Sequence, residues 1–301
     1  MNVTAISALI AASPSALATY PGANGDIAFV RKLHVWIVQP DGTQSRIARG
    51  DSPAWSPDGT RIAYTRAVEN GPTHIWIMDA DGTDPVRVTS GPRDDYAPSW
   101  SPSGGRLAFT SAPGDGRGAD IYVVSARAPF GNPVPVLRTD ANEFDVEWAP
   151  DGSRLAFAVS GCATGICGWH IGVVDLDGSD RRLLTTSDAV DLDPNWSPDA
   201  STILFASTRP RERPGRTLDI FSVPVRDGPA ARITNAMRPA SNREPIWSPD
   251  GTRFAYVHRS ANGATSIRSA NLDGTSVVRV CRGDPWFEST PTDWQPVAFA
   301  R

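Results

Sequence analysis

Apolar residues recur along the chain in short clusters that are separated by turn-forming residues. Each cluster holds an apolar residue, then a small or apolar one, then an aromatic one. Short runs of this kind, bounded by Pro, Asp and Gly, are typical of β-strands. The pattern predicts an all-β protein. The five clusters are Ile62-Ala63-Tyr64, Leu107-Ala108-Phe109, Leu155-Ala156-Phe157, Ile203-Leu204-Phe205 and Phe254-Ala255-Tyr256.

A tryptophan precedes each cluster by seven residues, and a sixth tryptophan follows the last cluster. Their separations are 45, 48, 48, 51 and 47 residues. The stretch WSPDG stands at two of them, and WSPSG, WAPDG and WSPDA stand at three others. Pro presets φ inside such a turn and Gly takes the left-handed position at its end, which predicts a hairpin. The tryptophans are Trp55, Trp100, Trp148, Trp196, Trp247 and Trp294.

Each period contains two further strand patterns. A third strand is centred near Ile75, Ile121, Ile171, Ile220 and Ile267. Turns such as DADGTD at 79–84 precede a short fourth strand, which we expect at 86–89, 134–138, 182–185, 231–234 and 277–281. Four antiparallel strands in a repeated unit of 40–50 residues are typical of a β-propeller blade.

The two ends of the chain complement each other. Residues 27–29, 35–38 and 46–48 supply the second, third and fourth strands of a blade whose first strand is missing, whereas Pro291–Trp294 is a first strand with no blade after it. The C-terminal strand should complete the N-terminal blade and close the ring, which leaves no unpaired edge between them. The sequence therefore predicts a six-bladed β-propeller of 24 strands, with the tryptophans wedged between blades.

The repeat resembles that of TolB-type (WD-like) β-propeller proteins. The matching pattern is Pro-x-Trp-Ser-Pro-Asp-Gly, then Ile-Ala-Phe/Tyr, then Asp-Ile-Tyr-Val and Asp-Gly-Thr, and it covers about residues 20–301. The stretch PGANGDIAFV at 21–30 also resembles the start of exported bacterial proteins of this kind. The resemblance implies the propeller fold, since the motif residues build turns and blade contacts. We expect the propeller, at 19–301, without the additional N-terminal α/β domain of the family's namesake.

The first 18 residues fit nothing in the repeat. An apolar run at 5–12 is followed by Ala16-Leu17-Ala18, a small-x-small cleavage pattern, although Met1–Thr4 holds no Lys or Arg. We expect residues 1–18 to be a signal peptide of an exported protein, in the periplasm, the cell envelope or outside the cell. The alternative is a frayed tail of a cytoplasmic protein.

The chain has three cysteines. Cys162 and Cys167 lie close together in the sequence and predict a disulfide, which suits an exported protein; Cys281 is left over. The alternative is three reduced thiols.

Composition excludes some partners. The chain is 40% hydrophobic and 21% charged with a net charge of −4, as for a soluble globular protein, and the negative charge argues against nucleic acid. No apolar stretch reaches the roughly 18 residues of a membrane-spanning helix. We expect a monomer that does not insert into a membrane.

Acidic residues recur in the six positions before every tryptophan. These positions begin the first strands, whose entries should form one mouth of the central channel. Carboxylates gathered there would focus negative potential, attracting a basic peptide segment or holding Ca²⁺. The alternative is that the acids cap loops and face water. The predicted binding residues are Asp51, Asp94, Asp95, Glu143, Asp145, Asp191, Asp193, Glu244 and Glu288; Glu147 and Asp293 fall in the same stretches.

A second set of polar residues begins the third strands, and it predicts structure rather than a metal site. Third strands lie roughly 10 Å outside the first strands of the same blades. Equivalent residues on the third strands of neighbouring blades are therefore too far from one another to bind one ion. We expect local hydrogen bonds within each blade. The residues are His34, His74, Asp120, His170, Asp219 and Ser266.

Motifs of known catalytic sites are absent from the sequence, including G-x-S-x-G, H-E-x-x-H and the phosphate-binding loop. We therefore expect a non-enzymatic scaffold that binds a protein or peptide partner at its face or at the acidic channel mouth, with no cofactor other than Ca²⁺. The alternative is a metal-assisted lyase or hydrolase that uses the channel. Convergence of channel side chains within metal-ligand distance would separate the two.

Overall fold

Six four-stranded antiparallel sheets form the protein, and the sheets are arranged as the blades of a propeller. The computed structural model describes residues 23–113, 118–163, 166–209, 217–237, 239–282 and 293–297. The described residues contain 24 strands and no helix. The predicted fold class, blade number and strand number are confirmed.

The blades follow one another along the chain, and each is built from the channel outward except for the first. Contacts between neighbouring inner strands run all the way round the ring, from β24 to β4, β8, β12, β16, β20 and back to β24. Blade 1 contains β24 (Asp293–Val297), β1 (Ala23–Val30), β2 (His34–Val38) and β3 (Gln44–Arg49); blade 2 contains β4 (Asp51–Trp55), β5 (Arg61–Ala67), β6 (Thr73–Asp79) and β7 (Val86–Arg87); blade 3 contains β8 (Asp94–Trp100), β9 (Arg106–Ala112), β10 (Asp120–Ser125) and β11 (Val134–Leu137). Blade 4 contains β12 (Asn142–Trp148), β13 (Arg154–Ala163), β14 (Ile166–Asp175) and β15 (Arg182–Leu183); blade 5 contains β16 (Asp191–Trp196), β17 (Thr202–Ser207), β18 (Asp219–Pro224) and β19 (Ala231–Arg232); blade 6 contains β20 (Ser241–Trp247), β21 (Arg253–Arg259), β22 (Thr265–Asn271) and β23 (Val278–Arg282).

The ring closes as the sequence predicts. Strand β24 pairs antiparallel with β1, so that Trp294 lies opposite Ile27. The strand runs past Trp294 instead of turning, and the Gln295 side chain donates to the carbonyl oxygen of Gly59 at 2.9 Å. A Cβ on Gly59 would lie 2.6 Å from the Pro296 carbonyl oxygen, so this turn needs glycine for contact as well as for its φ of 68°. The missing Asp-Gly after Trp294 is therefore explained by closure.

The repeated turn has the expected chemistry. The N–H of Gly59 donates to the Ser56 carbonyl oxygen at 2.8 Å, and the Ser56 hydroxyl donates to Asp58 at 2.6 Å. Asp58 also accepts from the backbone N–H of Thr60 at 3.1 Å. These bonds are local in sequence, which is why the turn recurs wherever the motif does.

The inner-strand tryptophans lie between blades. Trp55, Trp100, Trp148 and Trp196 are buried, and Trp55 packs among residues of both blade 1 and blade 2, including Ala28 and Tyr64. The indole N–H of Trp100 donates to the carbonyl oxygen of Ala54 on the preceding blade at 3.0 Å. Each indole thus fills an inter-blade gap with a large apolar surface.

Two regions differ from the predicted boundaries. Most fourth strands are shorter than expected; those in blades 2, 4 and 5 have two residues each. In blade 4 the residues predicted to form a cysteine loop instead extend β13 and β14 to ten residues each. The backbone register places Cys162 opposite Cys167. The side chains of both lie outside the described residues, so the disulfide stays a prediction.

Candidate functional site in the central channel

The inner strands of blades 2 to 6 carry an irregularity at the same place. The register with the second strand shifts just before the tryptophan, for example between Phe144 and Glu147. The residue three positions before the tryptophan has a left-handed backbone in blades 2 to 6. This conformation costs a non-glycine residue about 1 kcal/mol, so five repetitions indicate that the propeller geometry imposes it. The residues and their φ values are Ser52 (48°), Ala97 (52°), Asp145 (51°), Asp193 (55°) and Glu244 (52°).

These five residues line the central channel, together with the residues that follow them up to the tryptophan. The channel cavity has a volume of about 80 Å³. A buried water needs on the order of 10–15 Å³ by this measure, so the space suits a few waters or the end of one side chain. A ligand of larger size would have to lie on the face and insert a single group.

Three carboxylates stand side by side on one half of the wall. Asp145, Asp193 and Glu244 come from the consecutive blades 4, 5 and 6, whereas blades 2 and 3 present Ser52 and Ala97 at the same position. The N–H of Glu244 donates to Asp193 at 3.1 Å. Asp145 accepts likewise from the backbone N–H of Asp193. We call this set the carboxylate row.

Glu244 ends the row. Glu244 is 6% exposed, and one of its carboxylate oxygens lies 3.7 Å from Nε of Arg243. The other oxygen, Oε2, is buried and has no hydrogen-bond partner among the described residues. The residue three positions before Trp294 is Pro291, and proline has no N–H to donate as Asp193 and Glu244 do. Among the described residues, the row therefore ends in a carboxylate oxygen that lacks a donor.

Two more acids line the channel one position before their tryptophans. Asp293 accepts from the N–H of Trp55 on the next blade at 2.6 Å and from that of Trp294 at 2.8 Å. Glu147 lies 3.5 Å from the Asn195 side-chain amide. Ser99 and Asn195 occupy the same position in blades 3 and 5 and accept from Trp148 and Trp247. Side chains at this position therefore tie neighbouring blades together.

Burial controls the protonation of the channel acids. Desolvation raises the pKa of Asp145 to about 8, assisted by the neighbouring charge of Asp193, and it raises the pKa of Glu147 to about 8, assisted by Asp293. The pKa of Asp293 is raised to about 7 by the same cause. Desolvation also raises the pKa of Asp193, and it raises that of Glu244 well above the ordinary value. A cation entering the channel would stabilise the ionised forms.

Three of the acids predicted for the channel mouth do not line the channel cavity. Asp95, Glu143 and Asp191 are buried at the junctions between blades and do not line the channel. Asp95 accepts from the Ser111 hydroxyl at 2.7 Å, and Asp191 accepts from the Ser207 hydroxyl at the same distance. Hydroxyl groups thus hold these carboxylates away from the channel lining, and a role for them in binding at the channel mouth stays a prediction.

Two further predicted acids, Asp51 and Asp94, stand outside the channel cavity. Asp51 accepts from the Ser52 hydroxyl at 3.1 Å, and Asp94 accepts from the N–H of Thr73 at 2.8 Å. Glu288 lies outside the described residues. Glu147 and Asp293 lie in the acidic stretches but were not among the predicted binding residues. A polar residue directly before four of the six tryptophans is the sequence pattern that indicates them.

Three of the polar residues that begin the third strands form side-chain hydrogen bonds: His34 with the carbonyl oxygen of Lys32, Asp120 with Arg93, and Asp219 with Thr234. Two contacts reach the next blade: His74 of blade 2 lies 3.6 Å from Asp95 of blade 3, and Asp219 of blade 5 accepts from Asn242 of blade 6 at 3.1 Å. Local bonding within one blade was therefore too narrow a prediction. Within the described part of the chain, no three His, Cys, Asp or Glu side chains are placed to hold a metal ion.

Aromatic side chains occur in the same strands as the channel acids or pack against those strands: Phe144 directly precedes Asp145 in β12. The rings of Phe144 and Trp169 meet edge to face at 4.4 Å, and Trp169 is 36% exposed. Burial raises the pKa of Tyr96, with a further contribution from the charge of Asp145, so its hydroxyl also lies near the carboxylate row. The partly exposed ring of Trp169 is a surface on which a cationic or apolar group could pack.

The fold and the channel define the class of this protein: it is a six-bladed β-propeller with an acidic central channel. A model of the TolB beta propeller domain matches residues 135–292, a little over half of the chain. The chain belongs to that family. The suspected resemblance is confirmed.

Solved structures support the same fold. The chain is similar to TolB from Acinetobacter baumannii, with 22% identity and a TM-score of 0.69, over 90% of this chain and 67% of that one. It is similar to a putative TolB from Agrobacterium tumefaciens, with 20% identity and a TM-score of 0.66, over 91% and 99% of the two chains. No curated protein matches the chain significantly.

Enzymes share the architecture as well. An oligogalacturonate lyase in complex with manganese has 15% identity and a TM-score of 0.59, over 83% of this chain and 70% of the lyase. At such identities the likeness concerns the fold alone, and the site must carry the argument about function.

The described residues contain no helix able to span a membrane.

Proposed function

We propose that this protein is a non-enzymatic binding scaffold whose channel mouth receives a positively charged segment of a partner protein or peptide. The observation that carries the proposal is the carboxylate row, which ends at the buried Oε2 of Glu244, an oxygen with no hydrogen-bond partner in the part of the chain that the structure describes. An ammonium or guanidinium group brings the donors that this oxygen lacks.

The size of the channel supports a single inserted group. A cavity of about 80 Å³ accepts the tip of a Lys or Arg side chain, or an N-terminal amine, but no folded element. The rest of the segment would lie on the face, where Phe144 and Trp169 offer apolar contact to a basic side chain's stem.

We also propose that the protein is exported and monomeric. Residues 1–18 hold the apolar run and cleavage pattern that support export, and they lie outside the described residues. Expression in a bacterial host, followed by mass spectrometry of the periplasmic fraction, should find a mature chain beginning near Thr19. An intact N-terminus in the cytoplasm would contradict the proposal.

A peptide-binding experiment tests the channel. The probe is a fluorescent (Lys-Ala)₃ peptide, compared with (Glu-Ala)₃ and (Ser-Ala)₃, with anisotropy measured at pH 8 at low and at physiological salt. We expect only the basic peptide to bind. The double variant Asp193→Asn/Glu244→Gln should weaken binding by about a hundredfold, since each lost charge pair is worth about 1.5 kcal/mol.

The matched control is Glu69→Gln/Asp227→Asn, which removes one Glu and one Asp charge at exposed positions in blades 2 and 5. Equal weakening by both double variants would show that general charge, not the channel, attracts the peptide. Calorimetry with CaCl₂ provides a second arm. Calcium binding that disappears in the channel variant, without peptide binding, would replace the peptide proposal by an ion site.

A further inference from the structure

A second cavity lies between blades 5 and 6, away from the channel. Its volume is about 560 Å³, which is in the range of pockets for small organic molecules. Asn242, Tyr256, His258 and Arg268 line it, and Met237 stands at its edge with 88% of its surface exposed. We call it the blade 5–6 groove.

A buried aspartate fixes the orientation of the Asn242 amide. Asp219 accepts from the Asn242 side-chain nitrogen at 3.1 Å, from the Thr234 hydroxyl at 2.9 Å and from the N–H of Ala236 at 2.7 Å. Because Thr234 gives its only hydroxyl hydrogen to Asp219, it must accept from the same Asn242 nitrogen, at 3.0 Å. Two acceptors therefore hold the nitrogen side, and the amide oxygen faces the opposite way.

That oxygen sets the tautomer of His258. Nδ1 of His258 lies 2.7 Å from Oδ1 of Asn242, which can only accept, so Nδ1 carries the hydrogen. Burial lowers the pKa of His258, and the nearby charge of Arg268 lowers it further, which keeps the ring neutral near pH 7. Nε2 then holds a lone pair, and no described residue bonds to it.

Arg268 supplies the complementary charge. It is half-buried beside the hydroxyl of Tyr256 and forms no ion pair with any carboxylate in the described part of the chain. A half-buried guanidinium without a carboxylate is a strong, planar anion-binding group. The groove thus offers one anion site and one hydrogen-bond acceptor.

The other blades show that the fold does not require this arrangement. The position of Asn242 is occupied by Asp95, Glu143 and Asp191 in blades 3 to 5, and that of His258 by Ser111, Val159 and Ser207. Blade 6 replaces an acid by an amide and places an imidazole beside it. Among blades 3 to 6, blade 6 alone has a histidine at this position of the second strand.

We propose that the blade 5–6 groove binds a small hydroxylated carboxylate, whose carboxylate pairs with Arg268 and whose hydroxyl donates to Nε2 of His258. The proposal is independent of peptide binding in the channel. The carboxylate satisfies the guanidinium with two parallel hydrogen bonds, and an adjacent hydroxyl matches the acceptor that the Asp219–Asn242–His258 chain presents.

The probe is gluconate, with acetate and sorbitol as partial analogues that carry only the carboxylate or only the hydroxyls. Binding is followed by NMR through the ring signals of His258 and by calorimetry, at pH 7. We expect saturable gluconate binding, and binding at least about tenfold weaker for each analogue. Long-range ¹H–¹⁵N correlation of the unliganded protein should show the Nδ1–H tautomer.

The variants Arg268→Gln and His258→Phe should each weaken gluconate binding by about tenfold or more, and their thermal unfolding checks that they fold. The matched control is Arg66→Gln, which removes an exposed arginine at the position in blade 2 that corresponds to His258; binding should stay within about twofold. Absence of saturable gluconate binding, equal binding of acetate or sorbitol, or an Nε2–H or doubly protonated ring would overturn the proposal. The NMR measurement of the tautomer uses the wild-type protein, so it tests the proposal even if a variant does not fold.

Discussion

The two halves of the channel wall share one backbone but not one chemistry. In blades 2 and 3 the left-handed position holds Ser52 and Ala97, and in blades 4 to 6 it holds Asp145, Asp193 and Glu244, although all five φ values lie between 48° and 55°. The backbone irregularity therefore belongs to the propeller and not to the acids. The fold supplies a ring of equivalent positions, and the carboxyl groups on one half make the channel acidic.

A second contrast lies within single strands. Asp191 and Asp193 are two residues apart, as are Glu143 and Asp145, and in a regular strand each pair would point to the same face. The bulge between them sends the first acid of each pair into the blade junction and the second into the channel. Acidic residues two positions apart thus have different roles.

The largest expected effect is a loss of stability when a tryptophan between blades is removed, a feature that both halves of the channel wall share. Trp100→Ala and Trp148→Ala should each lower the free energy of unfolding by about 3–5 kcal/mol, because both indoles are buried between blades. Urea denaturation measures this. Trp169→Ala, which truncates a partly exposed ring, should cost about 1 kcal/mol. A much smaller loss at one of the buried positions would show that the blades on the two halves are packed differently.

The next largest effect is a pH dependence of stability that comes from the acidic half of the channel wall. Asp145 has its pKa raised to about 8 in the folded protein, against an ordinary value near 3.8. Between these values the unfolded chain is ionised and the folded one keeps its proton, so stability from this group falls as pH rises from about 4 to about 8. Since the side chain is only half-buried at the channel surface, we expect a loss of about 2 kcal/mol.

Urea denaturation at pH 5 and pH 8 checks this, with Asp145→Asn as the variant. The variant should show a weaker decline in stability with rising pH, and Asp227→Asn, an exposed acid, should leave the wild-type decline unchanged. A wild-type protein that gains stability over this interval, with the same gain in Asp145→Asn, would contradict the assignment.

Charge can also be grafted onto the neutral half. Ser52→Asp/Ala97→Asp extends the acids to five consecutive blades and should strengthen binding of the (Lys-Ala)₃ peptide by about tenfold at low salt, and less at physiological salt. Ser52→Asn/Ala97→Asn controls for side-chain size. If affinity does not change, the location of the acids on blades 4 to 6 matters more than their number.

The smallest effect tests the backbone itself. Ala97→Gly should stabilise the protein by about 0.5 kcal/mol, because glycine adopts the left-handed conformation without strain but loses more chain entropy on folding. Ala54→Gly, on the same wall but without a left-handed backbone, should destabilise it by a similar amount. Calorimetric unfolding measures both, and destabilisation by Ala97→Gly would place the cost of this position elsewhere.

Much of the fold could be predicted from the sequence because its determinants are local or periodic. The WSPDG turn is held by bonds between Ser56, Asp58 and Gly59, which lie within four residues of one another. Alternating apolar clusters at a repeat of 45–51 residues determined the blades, and the incomplete patterns at the two ends determined closure. The acidic stretches before the tryptophans were also visible.

Only the tertiary structure decided which of those acids belong to the channel. Strand periodicity places Asp191 and Asp193 on one face, and a bulge that depends on packing against the neighbouring blades separates them. The blade 5–6 groove was not predicted for a similar reason, since Asp219, Asn242 and His258 come from three strands and two blades. Turn chemistry and hydrophobic period depend on neighbouring residues in the sequence. The direction of a side chain at a bulge depends instead on contacts with residues far away along the chain.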